Sequence, residues 1–335
     1  MLIPTLKEAV PRFRITLKRP ATQEELDDQH QREKRQRIEQ IIIAEVLAGH
    51  EPEDEDIEGW RNLVPGLTPQ EIHAADVREL TGLFDQGSFA IIRIQDLPPK
   101  MKVFASRMVR REKAGKGKSR LCVENFHTQK PLGGELFAAT PSLFTFRLHL
   151  ALTAQMCQRD EQVALVLWDV TQAFIHAEIP ADELVGITMP TDVHNLTIKS
   201  KFGVVKLDAY DTVYQLRRAL YGYRRSPRLW QDKLVDILQL AGCRRCQKDP
   251  SMFVNDTLGL LLTVHTDDFL VSGHNKTVDD FLMKLQTDGL NNREVGRLEK
   301  PGDRMMCLAR HIERTPMGFT TTLREGLAKK LVDEI

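Results

Sequence analysis

No apolar run in the chain approaches the ~20 residues that a membrane-spanning helix needs, so no membrane partner is expected. The opening segment, MLIPTLKEAVPRFRITLKRP, scatters charges where a secretory leader keeps an apolar core. Cysteine is scarce and odd in number. Cys122, Cys157, Cys243, Cys246 and Cys307 cannot make a disulfide framework, which points to a reducing compartment. Cys243-Arg-Arg-Cys246 has no second pair nearby, so two incidental thiols explain it better than zinc. Net charge is absent as well, since 47 Lys and Arg balance 47 Asp and Glu. That neutrality does not exclude a nucleic-acid partner; it requires any basic footprint to be local. Repeats are missing, and the only biased tract is acidic.

What is present is an ordinary globular composition, 41% hydrophobic and 28% charged, long enough for two or three subdomains. Its charges are segregated. Residues 101–130 carry nine Lys and Arg against two Glu, whereas EPEDEDIE (Glu51–Glu58) has six acids and no base. Residues 1–20 read as an irregular arm with three prolines. From Thr22 a long helix is expected, with Thr22 and Glu25 at capping-box spacing and Gly49 as its stop. The acidic tract then serves as a linker, so residues 1–60 form an N-terminal helical extension.

Domain-like sequence begins near Leu67. Thr68-Pro69 opens a helix with apolar positions at Ile72, Val77, Leu80 and Leu83, ending near Gly87. MKVFASRMVRREKAGKGKSRLCVENF reads as two strands joined at Gly115-Lys116-Gly117. QVALVLWDV reads as a short buried strand ending at Asp169. In SPRLWQDKLVDILQLAG, Ser226 is the expected N-cap and Pro227 the first helical residue. Leu229, Trp230, Leu234, Ile237 and Leu238 form its apolar face, and Gly242 closes it.

Three stretches carry chemistry. LLLTVHTDDFLVSG places Asp267 and Asp268 between two apolar, partly β-branched runs. The alternation predicts a strand, a tight turn near His265–Asp268 and a return strand from Phe269, with both carboxylates able to face one side toward a cation. A solvated turn that happens to carry two aspartates is the plain alternative. Asp169, 98 residues earlier, ends a buried strand, where it either caps the next turn or adds a third carboxylate. Phosphoryl transfer on two cations needs such convergence, and Mg²⁺ suits a few carboxylates plus water and phosphates. Finally, Val213–Trp230 sets Arg217, Arg218, Arg224, Arg225 and Arg228 around a glycine turn. They form either a solvated basic face or contacts to phosphate backbones.

WDVTQAF, VYQLRRALYGYRRSPRLW and LLTVHTDDFLVSG, in this order and spacing, resemble the reverse transcriptase domain of copia-type LTR retrotransposons, a part of the Pol polyprotein. GKSRLCVENFHTQ and RLEKPGDRMMCLARHIERTPMGF are similar to its flanking segments, so the resemblance runs from about Val77 to Ile335. It implies an α+β right-hand polymerase, with an antiparallel palm sheet backed by helices and with fingers, over residues 67–315. Residues 316–335 would begin a truncated thumb or connection. Asp169, Asp267 and Asp268 match the metal-binding aspartates, which would hold two Mg²⁺, with Mn²⁺ as a substitute. Lys118 and Arg120 match residues that reach the triphosphate of a dNTP, and Phe174 matches the wall against its sugar, with plain core packing as the alternative. Tyr221 and Gly222 match the turn lining the nucleotide pocket. An RNA or DNA template-primer is the implied partner. Ribonuclease H and integrase portions would lie elsewhere in a polyprotein, and location would be cytoplasmic, nuclear or both. Departures from the pattern are His265-Thr266 for Tyr-Val, Tyr223 for Leu, Arg225 for Gln, Leu308-Ala309 for Leu-Gly, Ser119 and Cys122 in the first segment, and Asn125 before Phe126. None removes a metal ligand. The expected function is RNA-directed DNA synthesis. The alternative is a degenerate or domesticated element that binds nucleic acid without catalysis; an unrelated metal-dependent phosphotransferase fits the ordered motifs poorly.

Overall fold

The computed structural model describes residues 66–125 and 136–323, Ala114 and Phe137 excepted. The expected N-terminal helix, the acidic linker and residues 324–335 lie outside these. Helix α1 (Pro69–Asp85) starts where its sequence dictates. Glu71 N donates to Thr68 Oγ1 and Thr68 N donates to the Glu71 carboxylate, a closed capping box. Ile72, Leu80, Leu83 and Phe84 are buried as periodicity requires, whereas Val77 is only half-buried and Asp76 is buried in its place.

Strands β1 (Phe89–Arg93), β2 (Lys102–Phe104), β3 (Ser106–Lys113) and β4 (Lys116–Val123) follow, then helix α2 (Leu143–Arg159), β5 (Val163–Val170) and β6 (Val185–Ile187). Next come β7 (Thr197–Ser200), β8 (Gly203–Lys206), β9 (Thr212–Leu216) and helix α3 (Ser226–Leu240). Strands β10 (Arg244–Arg245), β11 (Met252–Asn255), β12 (Leu260–His265) and β13 (Asp268–His274) lead to helix α4 (Asn275–Thr287). Strands β14 (Asn292–Leu298), β15 (Arg304–Cys307), β16 (Arg310–Thr315) and β17 (Gly318–Leu323) close the chain. The class is mixed α+β, as expected, and among the described residues no helix is long and apolar enough to cross a membrane.

A six-stranded antiparallel sheet, β10-β11-β12-β13-β5-β14, is the centre. Strand β5 reads V-A-L-V-L-W-D-V because both of its faces are covered. Ala164, Val166, Trp168 and Val170 join a core with Trp230, Leu234 and Leu238 of α3 and Phe281, Leu282 and Leu285 of α4. Leu165 and Leu167 point the other way, into a smaller core with Phe146 and Leu150 of α2. Four other sheets surround it: β1-β9-β6-β2, in which β2 and β6 run parallel, the three-stranded β15-β16-β17, and the two ribbons β3–β4 and β7–β8.

Some local expectations need correction. The basic segment is three strands rather than two, because β2 leaves to pair with β6. Lys116 is already paired with Lys113, so the β3–β4 turn is 114–115. Ser226 is not the N-cap of α3. Arg225 takes that position without a side-chain bond, and Ser226 Oγ instead donates to Leu220 O at 2.6 Å, because the hydroxyl is buried and needs a partner. The boundary set at 315/316 falls in the β16–β17 turn, so that sheet runs on to Leu323.

Behind the central hairpin, His149 of α2 is fully buried and bridges Thr263 Oγ1 (2.7 Å) on β12 and Ser272 Oγ (2.8 Å) on β13. Thr153 closes the network on Ser272 at 2.6 Å. Burial pushes His149 down to about 3 from 6.5. A neutral buried base refuses the proton that the unfolded chain accepts, so its contribution is full above 6.5 and is lost as pH falls toward 3.

Two predictions follow from packing and backbone. His149→Gln should shrink the loss of unfolding free energy between pH 7 and pH 5 by about 2 kcal/mol, read by urea denaturation; an equal loss in both proteins would sink the assignment. The β15–β16 turn places Leu308 (φ 49°) and Ala309 (φ 60°) in the left-handed region, which costs L residues roughly 1–2 kcal/mol. Ala309→Gly should therefore stabilise the fold by about 1 kcal/mol, and a loss of stability in the same measurement would contradict it.

Candidate active site

The site grows from the turn between β12 and β13. His265 pairs with Asp268, leaving Thr266 and Asp267 as a two-residue turn, so the return strand starts one residue earlier than expected. Thr266 sits at φ 57°, unfavourable for a β-branched residue, and is held there from both sides. The buried Trp230 of α3 donates its indole N–H to Thr266 O at 2.7 Å, and Val170 N of β5 donates to Asp267 O at 2.8 Å. The Trp230 ring in turn lies 5.9 Å from that of His176.

In the β13–β5 pairing Asp268 stands directly opposite Asp169. Cross-strand partners share a face, so the two carboxylates meet at one edge of the sheet with Asp267 on the adjoining turn. All three are half-buried. Burial, then the negative charges of Asp267 and Asp169, push the Asp268 carboxyl up to about 6, with His265 opposing. On the other side of β5, Arg293 of β14 donates its Nε to Asp169 Oδ2 at 2.9 Å. Among the described residues no three acidic, histidine or cysteine side chains are grouped so as to hold a metal ion as they stand. The donor chemistry nevertheless fits a hard divalent cation: oxygen ligands, like charges crowded together, and one carboxyl whose proton affinity is raised by that crowding.

Beside the aspartates lies an aromatic and basic wall. The Arg120 guanidinium of β4 sits 4.5 Å over the Tyr221 ring, and Tyr221 meets Phe174 edge-on at 5.1 Å. Burial raises the Tyr221 phenol, Arg120 opposes that, and Asp267 and Asp169 add to it, so this ring feels both the basic strand and the carboxylates. Lys118, two residues from Arg120, is lowered by burial and by Arg120, Lys113 and Arg111. Beneath them Glu79 is raised by burial while Leu121 N, Arg120, Lys118 and Gln172 draw it back. The fold therefore brings Arg120, Tyr221 and Phe174 together, within electrostatic reach of the aspartates.

At Gly222 the backbone meets β4 closely. At φ 80°, a Cβ there would overlap the Val123 carbonyl oxygen of β4, and Val123 N donates to Tyr221 O at 2.8 Å. Its smallness admits a neighbouring strand. The five arginines are no single basic face. Arg218 pairs with Glu178 at 3.2 Å and Arg228 with Asp232 at 2.8 Å. Arg225 is half-buried and ion-paired to Glu183, which also accepts from Tyr223. Arg217 is exposed, and Arg224 is half-buried with its N–H on Asn125 Oδ1.

Other residues of the site escaped the sequence reading. Asp76 of α1 is 1% exposed and receives a two-pronged bond from Arg110 of β3, Nε at 3.1 Å and Nη2 at 2.9 Å. Ser119 Oγ of β4 donates to Asp76 Oδ1 at 2.5 Å, and Arg110 also pairs with Asp192. Burial alone would lower Arg110, but Asp76 and Asp192 more than offset it. This clamp fixes the free-standing β3–β4 ribbon, and so Lys118 and Arg120, against the body of the protein. A signal existed: Asp76 interrupts the apolar stripe Ile72–Leu80 at helical spacing.

Comparison with known proteins agrees with this geometry. The family model described as reverse transcriptase (RNA-dependent DNA polymerase) matches residues 89–299, the span that holds all three aspartates, Lys118, Arg120, Phe174 and Tyr221. A retrovirus-related Pol polyprotein from transposon RE2 of Arabidopsis thaliana is 30% identical over 124 residues, covering 36% of this chain and 8% of that polyprotein. This chain belongs to the reverse transcriptase (RNA-dependent DNA polymerase) family.

Proposed function

We propose that the chain is the RNA-directed DNA polymerase of a copia-type retrotransposon, copying an RNA or DNA template by adding dNTPs to a primer 3′-hydroxyl. The observation that carries this reading is the register of β5 and β13, which sets Asp169 opposite Asp268 beside Asp267 on its turn. On this reading the six-stranded sheet is the palm, and the β3–β4 ribbon with α1 belongs to the fingers. The likeness to a Pol polyprotein supports a retrotransposon origin, and cytoplasmic particles followed by nuclear entry would be the cellular route.

Asp169, Asp267 and Asp268 would hold two Mg²⁺, or Mn²⁺ in their place. When bound, such ions supply Lewis acidity for the 3′-hydroxyl and charge for the triphosphate and leaving pyrophosphate. The chain's own residues do the rest. Lys118 and Arg120 bind the triphosphate, and stacking on Tyr221 leaves the Arg120 in-plane N–H donors available. Phe174, braced by Tyr221, walls the sugar and excludes a 2′-hydroxyl. Trp230 and Val170 keep the aspartate turn in its strained conformation. Arg217 and Arg224 are the better candidates for phosphate-backbone contact, since Arg218, Arg225 and Arg228 have acidic partners. Arg293 on Asp169 favours a second reading, a retroelement relic that binds nucleic acid without synthesis.

Primer extension on poly(rA)–oligo(dT) separates the two. dTTP incorporation with Mg²⁺ or Mn²⁺ that EDTA abolishes is expected, whereas salt-dependent binding without incorporation would favour the relic. Asp267→Ala should abolish synthesis and leave template binding within twofold; equal synthesis by mutant and parent would remove the metal assignment. Because a protonated carboxyl is no ligand, Mn²⁺ affinity measured by calorimetry should fall about fourfold through Asp268 between pH 7.5 and 5.5. Asp268→Asn should bind more weakly and lose that pH step, and a step persisting unchanged would assign it elsewhere.

A further inference from the structure

The ribbon β7–β8 is unused by the site and unusual in composition. Residues 195–207 contain Lys199, Lys201 and Lys206 and no carboxylate. Strand alternation sends Ile198 fully into the core and leaves Lys199, Val204 and Lys206 outside, where the register pairs Lys199 with Val204. At the tip Phe202 is 72% exposed and Val204 beside it 69%. Turns ordinarily select Gly, Asn, Asp or Ser, so a bare aromatic ring there has no local reason.

The tip is also rigidly built. Phe202 N donates to Ser200 Oγ at 3.2 Å, Ser200 Oγ donates to Gly203 O at 3.1 Å, and Lys201 N donates to Asp85 Oδ1 of α1 at 2.7 Å. Lys201 Nζ stands 5.1 Å from the Phe202 ring centroid. These bonds order the backbone of the turn that carries the ring, which lowers the entropy cost of meeting a ligand. The ribbon is continuous with the basic region already described. Helix α1 packs against β7 and against β4, the strand that carries Lys118 and Arg120.

An exposed aromatic face with one lysine beside it and two more along the same ribbon suits stacking of an unpaired base with contacts to its phosphates. A second copy of the chain would bring like charge to this patch, and a duplex offers no open base face to the ring. We propose that the β7–β8 ribbon is a contact for single-stranded nucleic acid, engaging the unpaired part of the template through Phe202, Lys199, Lys201 and Lys206. The assignment to the template rests on the template-copying reading above; the single-strand chemistry does not.

The test uses the full chain and fluorescence anisotropy with two labelled probes, a blunt RNA–DNA duplex and the same duplex with a 12-nucleotide single-stranded template overhang. In the parent protein the overhang should add affinity. Phe202→Ala should lose about tenfold of that increment, Phe202→Trp should keep it, and binding of the blunt duplex should stay unchanged. Replacing Lys199, Lys201 and Lys206 together by Gln should flatten the salt dependence of overhang binding by about two in log–log slope. An increment untouched by both the Phe202→Ala and the triple-lysine variants overturns the proposal, as does equal loss on blunt duplex. If blunt duplex binds to neither parent nor variants while the overhang effect persists, the ribbon's chemistry stands and the template-copying reading fails.

Discussion

Everything at the candidate site hangs on one unfavourable contact, two carboxylates placed opposite each other on adjacent strands. Asp169 and Asp268 could not hold that register if β5 and β13 were free to slip, because one residue of slip would turn the whole apolar set to the wrong face. The register is locked by burial of both sheet faces, with Val166 and Val271 on one core and Leu167 and Leu270 on the other. His149 adds a second lock from behind, bridging β12 and β13 through Thr263 and Ser272, where a one-residue shift would break both bonds. The hydrophobic effect thus supplies the force that keeps like charges together. Arg293 relieves part of the repulsion, but its side chain is 67% exposed, and an exposed pair of this kind is worth about 0–1 kcal/mol.

The basic side of the site is built by the opposite strategy. The β3–β4 ribbon belongs to no larger sheet, so polar contacts aim it. Asp76 takes Arg110 and Ser119 from the two strands, and Asp192 shares Arg110. Gly222 lets the Tyr221 turn press against Val123, which brings Tyr221 beneath Arg120. A buried ion pair of this kind is weak evidence for stability but strong evidence for geometry, since removing one partner strands a charge. The sheet supplies rigidity through packing, the ribbon through directed bonds, and the candidate site lies where the two meet.

How much of this was legible follows the range of the interaction. The capping box of α1, the apolar stripe of α3 and the fully apolar β5 were readable because each depends on residues a few positions apart. The Asp267–Asp268 turn was readable for the same reason, and Asp169 was joined to it by the convergence of carboxylates that two-cation chemistry needs and then by motif order. Ser226 was misread as a cap because its partner, Leu220 O, lies in the preceding turn and competes with the cap geometry. The close approach of Val123 to Gly222 was not legible, because the two are far apart in sequence and nothing local announces that a strand crosses there. Asp76 was visible as an anomaly in an apolar stripe, but Arg110 and Asp192 become its network only through the fold.

The departures from the sequence pattern divide by the same physical test. Tyr223 and Arg225, standing where the resemblance has Leu and Gln, both bind Glu183, which accepts from one on each carboxylate oxygen, while the buried Arg225 Nε makes no hydrogen bond. Ala309 is different. It occupies a left-handed position where the resembling pattern has glycine, and nothing in its turn compensates the Cβ. The compensated change lies within the chain segment leading into α3, one turn from Trp230 and the aspartate hairpin, whereas the uncompensated one lies in a peripheral two-residue turn. Strain thus sits both in that peripheral turn and at Thr266 in the aspartate turn, where bonds from Trp230 and Val170 hold it.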